Sequence, residues 1–299
     1  MFRRAIKNII RKIIFGGIQL RDRIQFPGRC DIYVNVEDHR GRDLLDKSGV
    51  TQAAISILWW NLVKILRPAV ALDVGANYGE ISLPCRYPVE TKLFLFEPNP
   101  YILPVLNKSV GTHQDADRIE IFPVLVSDQD FTGSLTINKL WSGTSSALGE
   151  IPNFPGGNPG NDSVFEVVDV AARSLQSVLK ERELDLSKSI LLKVDVEGYE
   201  GYVFEGIVDI LERTDEFAII TEFSPKLLDG TKFTSDVLFS KLLSLGRVFI
   251  INSYGSIDEI FETPVSGWNN LLVVSRSMDN RIITSPLLMS LKIIFNRFV

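Results

Sequence analysis

Residues 70–83 read Val-Ala-Leu-Asp-Val-Gly-Ala-Asn-Tyr-Gly-Glu-Ile-Ser-Leu, and a second apolar run downstream, Leu93-Phe94-Leu95-Phe96, ends on Glu97. A short apolar run with little polar alternation is a strand buried on both faces, the situation of a parallel sheet. Gly75 and Gly79 directly after the first run mark a tight turn, predicted here to open a helix. Runs of the same kind recur near residues 69–74, 92–97, 119–126, 189–195, 217–222, 247–252 and 270–275, with stretches of helical pattern between them. The chain is therefore predicted to be α/β, with a mostly parallel seven-stranded sheet and helices on both faces. Asn99-Pro100 reads as a helix start that Pro104 should shorten, and Thr234-Ser235-Asp236 as the cap of a later helix.

The glycine spacing selects the ligand. Open parallel sheets bind ligands beyond the carboxyl ends of their strands, and a carboxylate on the second strand accepts both hydroxyls of a ribose. Glu97 has that position. Gly75-x-x-x-Gly79 lacks the middle glycine of a pyrophosphate-binding turn, and Asp73 places negative charge where a dinucleotide would bring its phosphates. A nucleoside with a sulfonium and an ammonium, S-adenosyl-L-methionine, tolerates that acid. Asp73, Gly75, Asn77 and Gly79 are assigned to its turn, Glu97 to its ribose, and Ser127 and Asp128 to its adenine edge. Two other readings compete. The missing glycine argues against an NAD-dependent oxidoreductase, and the intact turn with Glu97 argues against a non-catalytic module of the same fold.

Charge is spread unevenly along the 299 residues. Residues 1–23 hold seven Lys or Arg and one Asp, a net +6, which leaves −11 of the total −5 for the remainder. A body that acidic excludes broad nucleic-acid binding, which depends on neutralising phosphates. Cys30 and Cys85 form neither a metal-ligand spacing nor a disulfide framework, so a reducing, cytoplasmic location is expected. No apolar run is long enough to span a bilayer. In residues 1–14, Arg3, Arg4, Lys7, Arg11 and Lys12 interleave with isoleucines, a pattern for a basic amphipathic helix that either packs on the domain or touches the anionic inner face of a membrane. The expected organisation is a helical N-terminal extension over 1–68, the ligand-binding domain over 69–280, and a C-terminal tail or helix over 281–299. Trp59 and Trp60 are expected in the core. Residues 141–163 hold five Gly and three Pro, which suits a lid-like or flexible loop.

The chemistry is expected at Leu191-Leu192-Lys193-Val194-Asp195-Val196-Glu197-Gly198-Tyr199-Glu200. Strand alternation puts Lys193 and Asp195 on one face. A lysine in so apolar a run needs a charged partner, and Glu222 on the next strand is the candidate. With only His39 and His113 in the chain, the latter expected in a solvated loop, the proton acceptor is sought among carboxylates: Asp195, then Glu222, then Glu197. A divalent ion between Asp195 and Glu222 is the alternative to a base. Without a Cys/His set or an Asp-rich loop, no metal is assigned.

The segments LDVGANYGEISL, FLFEPNP and LLKVDVEGYE, with the late Trp268-Asn269-Asn270 run, resemble the FkbM-type S-adenosylmethionine-dependent methyltransferases over roughly residues 69–275. That resemblance implies a class I, Rossmann-like fold and O-methylation of a small-molecule or glycan acceptor such as a sugar, glycolipid or macrolide. Two departures stand out. Ser174-Leu175-Gln176 replaces a Thr-Leu-Asp pattern, and Pro84 falls early in the helix expected after the glycine turn.

Overall fold

The computed structural model describes residues 15–149, 164–182, 184–252 and 256–278. Strands β1 (Ile18–Gln19), β2 (Arg23–Phe26) and β3 (Cys30–Tyr33) form a small antiparallel sheet, followed by helices α1 (His39–Asp46) and α2 (Ala53–Leu66). The central sheet begins with β4 (Val70–Val74) and β5 (Lys92–Phe96), then α3 (Leu103–Val110) and β6 (Ile119–Phe122). Strands β7 (Leu125–Ser127), β8 (Phe131–Asn138) and β9 (Phe165–Ser174) make a third sheet, and α4 (Leu175–Lys180) leads back to β10 (Ser189–Val194). Helices α5 (Glu200–Glu205) and α6 (Val208–Leu211) precede β11 (Glu216–Phe223). Helices α7 (Pro225–Leu228) and α8 (Ser235–Leu245) precede β12 (Gly246–Ile251), β13 (Ile257–Glu259) and β14 (Asn269–Ser275).

Among the described residues the main sheet has eight strands, in the order β13-β12-β14-β11-β10-β4-β5-β6. The expected mostly parallel seven-stranded sheet is corrected to a mixed one. Pairings from β11 to β6 are parallel, whereas β14 runs antiparallel to both β11 and β12, and β13 antiparallel to β12. All seven anticipated strands exist. The eighth, β13, is three half-exposed or exposed residues (Ile257, Asp258, Glu259) whose polarity hides it from a search for apolar runs. The run expected over 119–126 is also divided. Pro123 has no N–H for a ladder, so β6 ends at Phe122 and β7 leaves for the third sheet.

Alternation sorts the sheet's side chains into two cores. Ala71, Leu93, Leu95, Leu191, Ala218 and Ile220 pack with β2, β3 and α2 on one face. Leu72, Phe94, Phe96, Leu192, Val194 and Ile219 pack with α4, α5 and α8 on the other. Helices therefore cover both faces. The extension is not simply helical: Ile24, Phe26, Cys30 and Ile32 are buried at period two, which makes strands of β2 and β3. Trp59 is fully buried and Trp60 packs beside it, as expected of core residues. Residues 1–14 and 279–299 lie outside the described residues, as do 150–163 of the expected loop.

Two local expectations change. Residues after Gly79 form successive turns and no regular helix: Leu83 N–H reaches Gly79 O, but Pro84 has no N–H to continue the ladder. The helix after β5 starts at Leu103, with Pro104 in its first turn, where a missing N–H is harmless. Asn99 instead accepts a hydrogen bond from Tyr101 N–H and shapes the entering turn. The Thr234 cap of α8 forms as read, its side chain accepting from Val237 N–H.

Candidate active site

Strand order reverses around β4, since β5 and β6 lie to one side and β10 and β11 to the other. Such a switch point opens a crevice at the carboxyl ends of the strands. A cavity of about 330 Å³ occupies it, lined by the Gly75–Asn77 turn, Glu97, Lys193, Asp195, Glu197 and Glu222. Register explains the convergence: Asp73 lies beside Lys193, Val74 beside Phe96, and Val194 beside Thr221, so β4, β5 and β10 end at one level and β11 runs two residues further, to Phe223.

Gly75 has φ +75°, and a Cβ there would stand 1.9 Å from Asp195 O. The turn of β4 and the exit of β10 therefore touch backbone to backbone, which only glycine permits. Gly75 and Ala76 N–H both donate to Phe96 O, and Asp195 N–H to Val74 O, which ties three strand ends together. Asn77, also left-handed at φ +49°, presents its N–H to Glu97 Oε2 at 2.8 Å. Asn99 N–H donates to Glu97 Oε1 at the same distance. Glu97 is 5% exposed, and burial outweighs both hydrogen bonds, raising its pKa to about 7. Beyond it Phe96, Val124, Leu125, Val126 and Leu135 line an apolar slot. A flat heterocycle with a ribose fits this arrangement, because hydroxyl donors on Glu97 would favour its charged form.

Asp73 stands behind the cavity wall, fully buried, 3.2 Å from Lys193 Nζ and accepting from Ser82 Oγ at 2.5 Å. Lys193 also donates to Gly75 O at 3.1 Å and approaches Asp195 at 3.7 Å. Burial lowers the ammonium's pKa, but Asp73 and Asp195 outweigh it and hold Lys193 charged. The expected Lys193–Glu222 pair is not made: Glu222 Oε2 is out of solvent with no hydrogen-bond partner among the described residues, because the strand stagger gives the lysine to β4. Asp195 and Lys193 do share a face, as alternation required.

Gly79, Ser127 and Asp128 do not line the cavity. A Cβ on Gly79 would meet Leu83, so that glycine serves core packing. Ser127 meets Tyr199 OH at 3.1 Å and Asp128 pairs with Lys232 at 2.8 Å, both on the third-sheet side. Gln176 is likewise absent from the lining; Ser174 caps α4 by accepting from Ser177 N–H. His113 corrects another expectation. It is buried, its Nε2 is 3.0 Å from Leu83 O, and burial pushes its pKa down.

Glu197 and Glu222 join Asp195 in a cluster whose ligand oxygens all lie within 4.8 Å of one another. Burial first, then Asp195, pushes the carboxyls of Glu197 and Glu222 well above the ordinary range. Glu200, fully buried behind them, accepts from Val196 and Gly198 N–H, and burial raises it to about 7. Glu197 has φ +54°, a left-handed backbone that costs a non-glycine residue of order 1–3 kcal/mol and marks a position held by its surroundings.

Sequence reasoning missed the wall supplied by the extension and the loop. Arg40 of α1, Glu80, Trp141, Ser142 and Gly143 line the cavity, and Arg40 pairs with Glu80. Asp38 organises them. Its carboxylate accepts from Tyr78 OH at 2.7 Å, Ser142 Oγ at 2.5 Å, Ser142 N–H at 3.1 Å and Arg40 N–H at 3.0 Å. One buried acid thereby joins α1, the glycine turn and residues 141–143. The available signal was Asp38 directly before α1, an N-cap whose longer-range partners no local pattern reveals.

Residues 73–249, more than half of the chain, match the family described as the methyltransferase FkbM domain. The chain belongs to the FkbM methyltransferase family. Similar solved structures include the methyltransferase FkbM from Methylobacillus flagellatus KT, 14% identical, with 70% of this chain and 44% of that one covered and a TM-score of 0.41. This chain thus spans less than half the length of that FkbM protein. A precorrin-6y C5,15-methyltransferase from Geobacter metallireducens GS-15 is 12% identical over 76% of this chain and 91% of its own, with a TM-score of 0.38. A SAM-dependent O-methyltransferase from Thermotoga maritima is 11% identical over 74% and 64%, with a TM-score of 0.33. A comparison with curated proteins found no match. Among the described residues, no helix is long and apolar enough to cross a membrane.

Proposed function

We propose that this FkbM-family chain is an S-adenosyl-L-methionine-dependent O-methyltransferase, acting in the cytoplasm on a hydroxyl of a sugar, glycolipid or polyketide-type acceptor. The observation that carries the reading is Glu97. It is a buried carboxylate of raised pKa, held by two backbone N–H groups, between a glycine turn and an apolar slot. Glu97 would hold the ribose, the Phe96–Val124–Val126 slot the adenine, and the Gly75–Asn77 turn the amino-acid end. When bound, the cofactor supplies an electrophilic methyl on a sulfonium. The protein's part is to orient an acceptor oxygen, keep water out and receive a proton. Glu197 and Glu222 are pushed toward their neutral forms, so Asp195, beside the Lys193 ammonium, is the carboxylate suited to take that proton.

Titration calorimetry with S-adenosylhomocysteine and with NAD tests the cofactor. Saturable binding of the first and none of the second is expected, and clear NAD binding overturns the reading. Mass analysis of glycans and metabolites, comparing a deletion strain with its complemented parent, would then find the acceptor as a gain of one methylene.

A further inference from the structure

Acidic side chains outnumber basic ones on the cavity wall: Glu80, Glu97, Asp195, Glu197 and Glu222 stand against Arg40 and Lys193. Arg40 pairs with Glu80, and Lys193 lies against Asp73, the Gly75 carbonyl and, at 3.7 Å, Asp195. Among the described residues, Glu197 Oε2 and Glu222 Oε2 are each out of solvent and without a hydrogen-bond partner. Glu200, which does not line the cavity, stands close behind these two acids. It is entirely buried, its Oε2 also has no partner, and its charge acts on both Glu197 and Glu222. A buried acceptor without a donor is costly, by about 1–3 kcal/mol each and more when charged. Two such acids on the cavity wall, with ligand oxygens within 4.8 Å of that of Asp195, mark a position suited to positive charge.

We propose that Asp195, Glu197 and Glu222 bind a hard divalent cation, of the Mg²⁺, Mn²⁺ or Ca²⁺ class, on the wall of the cavity. The ligand oxygens lie within 4.8 Å of one another. Metal–oxygen bonds of roughly 2.0–2.6 Å allow two ligands of one ion to be about 5 Å apart at most, so the three oxygens can share an ion. An all-carboxylate set selects hard cations over zinc or copper, which favour nitrogen and sulfur. Three protein ligands leave positions for water and for acceptor oxygens. A hydroxyl held on the ion gives up its proton to water more readily than a free one. Asp195 is then a ligand, water receives the proton, and the ion's part is to make the hydroxyl more acidic. This role of the ion rests on the methyltransferase reading; the binding of the ion does not.

Tb³⁺ serves as the probe, because Trp141 and Trp268 line the same cavity and can sensitise its emission. The full-length protein without nucleotide should show saturable emission, displaced by Mn²⁺, Mg²⁺ or Ca²⁺. Glu222→Gln and Asp195→Asn should each weaken Tb³⁺ at least tenfold. A melting temperature of the parent that rises saturably with Mn²⁺ or Mg²⁺ supports the site independently, should a variant fold poorly. Absence of saturable emission from the parent overturns the proposal, as does unchanged affinity in both folded variants. Displacement of Tb³⁺ by S-adenosylhomocysteine also overturns it, since the carboxylates would then hold the cofactor's ammonium. Homocysteine-nucleoside binding measured without divalent ions reports on the cofactor reading alone, so the two can fail separately.

Discussion

Replacing Glu97 with Gln should make the protein more stable at pH 8, no more stable at pH 5, and less able to bind its nucleoside at either. Glu97 titrates at about 7 in the folded protein against an ordinary 4.5, because burial disfavours its charge. The folded state therefore binds the proton more tightly than the unfolded chain. Stability is full below the unfolded value and declines as pH rises through the folded one. At 1.36 kcal/mol per pKa unit, the integrated penalty is about 1 kcal/mol at pH 5 and about 3 kcal/mol at pH 8. Gln carries no charge and escapes that penalty. It keeps one acceptor for the Asn77 and Asn99 N–H groups and turns an NH₂ toward the other, a loss of about 1–2 kcal/mol at either pH. The stability difference between variant and parent should thus move in the variant's favour by roughly 2–3 kcal/mol from pH 5 to pH 8. Urea unfolding at both values measures it, and the acid Glu200 titrates equally in both proteins and cancels. Nucleoside affinity should fall by about 1.5–3 kcal/mol, the scale of hydrogen bonds to a charged group. A pH-independent stability difference would refute the desolvation argument. Unchanged affinity would refute the ribose assignment.

Gly75→Ala should abolish homocysteine-nucleoside binding and destabilise the fold by more than about 3 kcal/mol, since a Cβ 1.9 Å from Asp195 O forces β4 and β10 apart; a melt within a few degrees of the parent contradicts this. Asp38→Ala should cost about 2–4 kcal/mol in urea unfolding and weaken the cavity wall, because Tyr78 OH, Ser142 and Arg40 N–H all lose one acceptor. Asp195→Asn should lower kcat at least about a hundredfold with the product's affinity shifted less than about tenfold, and near-parental turnover would make the residue structural. The basic–isoleucine pattern of residues 1–14 predicts co-sedimentation with anionic vesicles that salt reverses, and a protein left in the supernatant at low salt favours a packed helix.

Much of the scaffold was legible because the signals were local. A strand buried on both faces must be a run of apolar residues, so seven strands of the main sheet could be placed from the chain alone, and β13, which is not apolar, could not. The extension was misjudged for a different reason. Basic residues and isoleucines at the start drew attention to helical period, while the period-two burial of Ile24, Phe26, Cys30 and Ile32 is only four residues per strand. His113 looked solvated among Gln114 and Asp115, yet Leu83 O and the fold around it bury the ring.

By itself the sequence determined the family, the α/β architecture, the glycine turn, and Glu97 and Asp195 at strand ends, because each is written in consecutive residues. Tertiary structure decided who pairs with whom. Strand stagger gave Lys193 to Asp73 and left Glu222 without it, and β7 brought Leu125 and Val126 to the cavity wall but not Ser127. Asp38 brought α1 and Ser142 to the cavity from positions far apart in the chain. Those choices depend on distances between separate segments once packed, and electrostatics inside a dry cavity follows distance, not order along the chain.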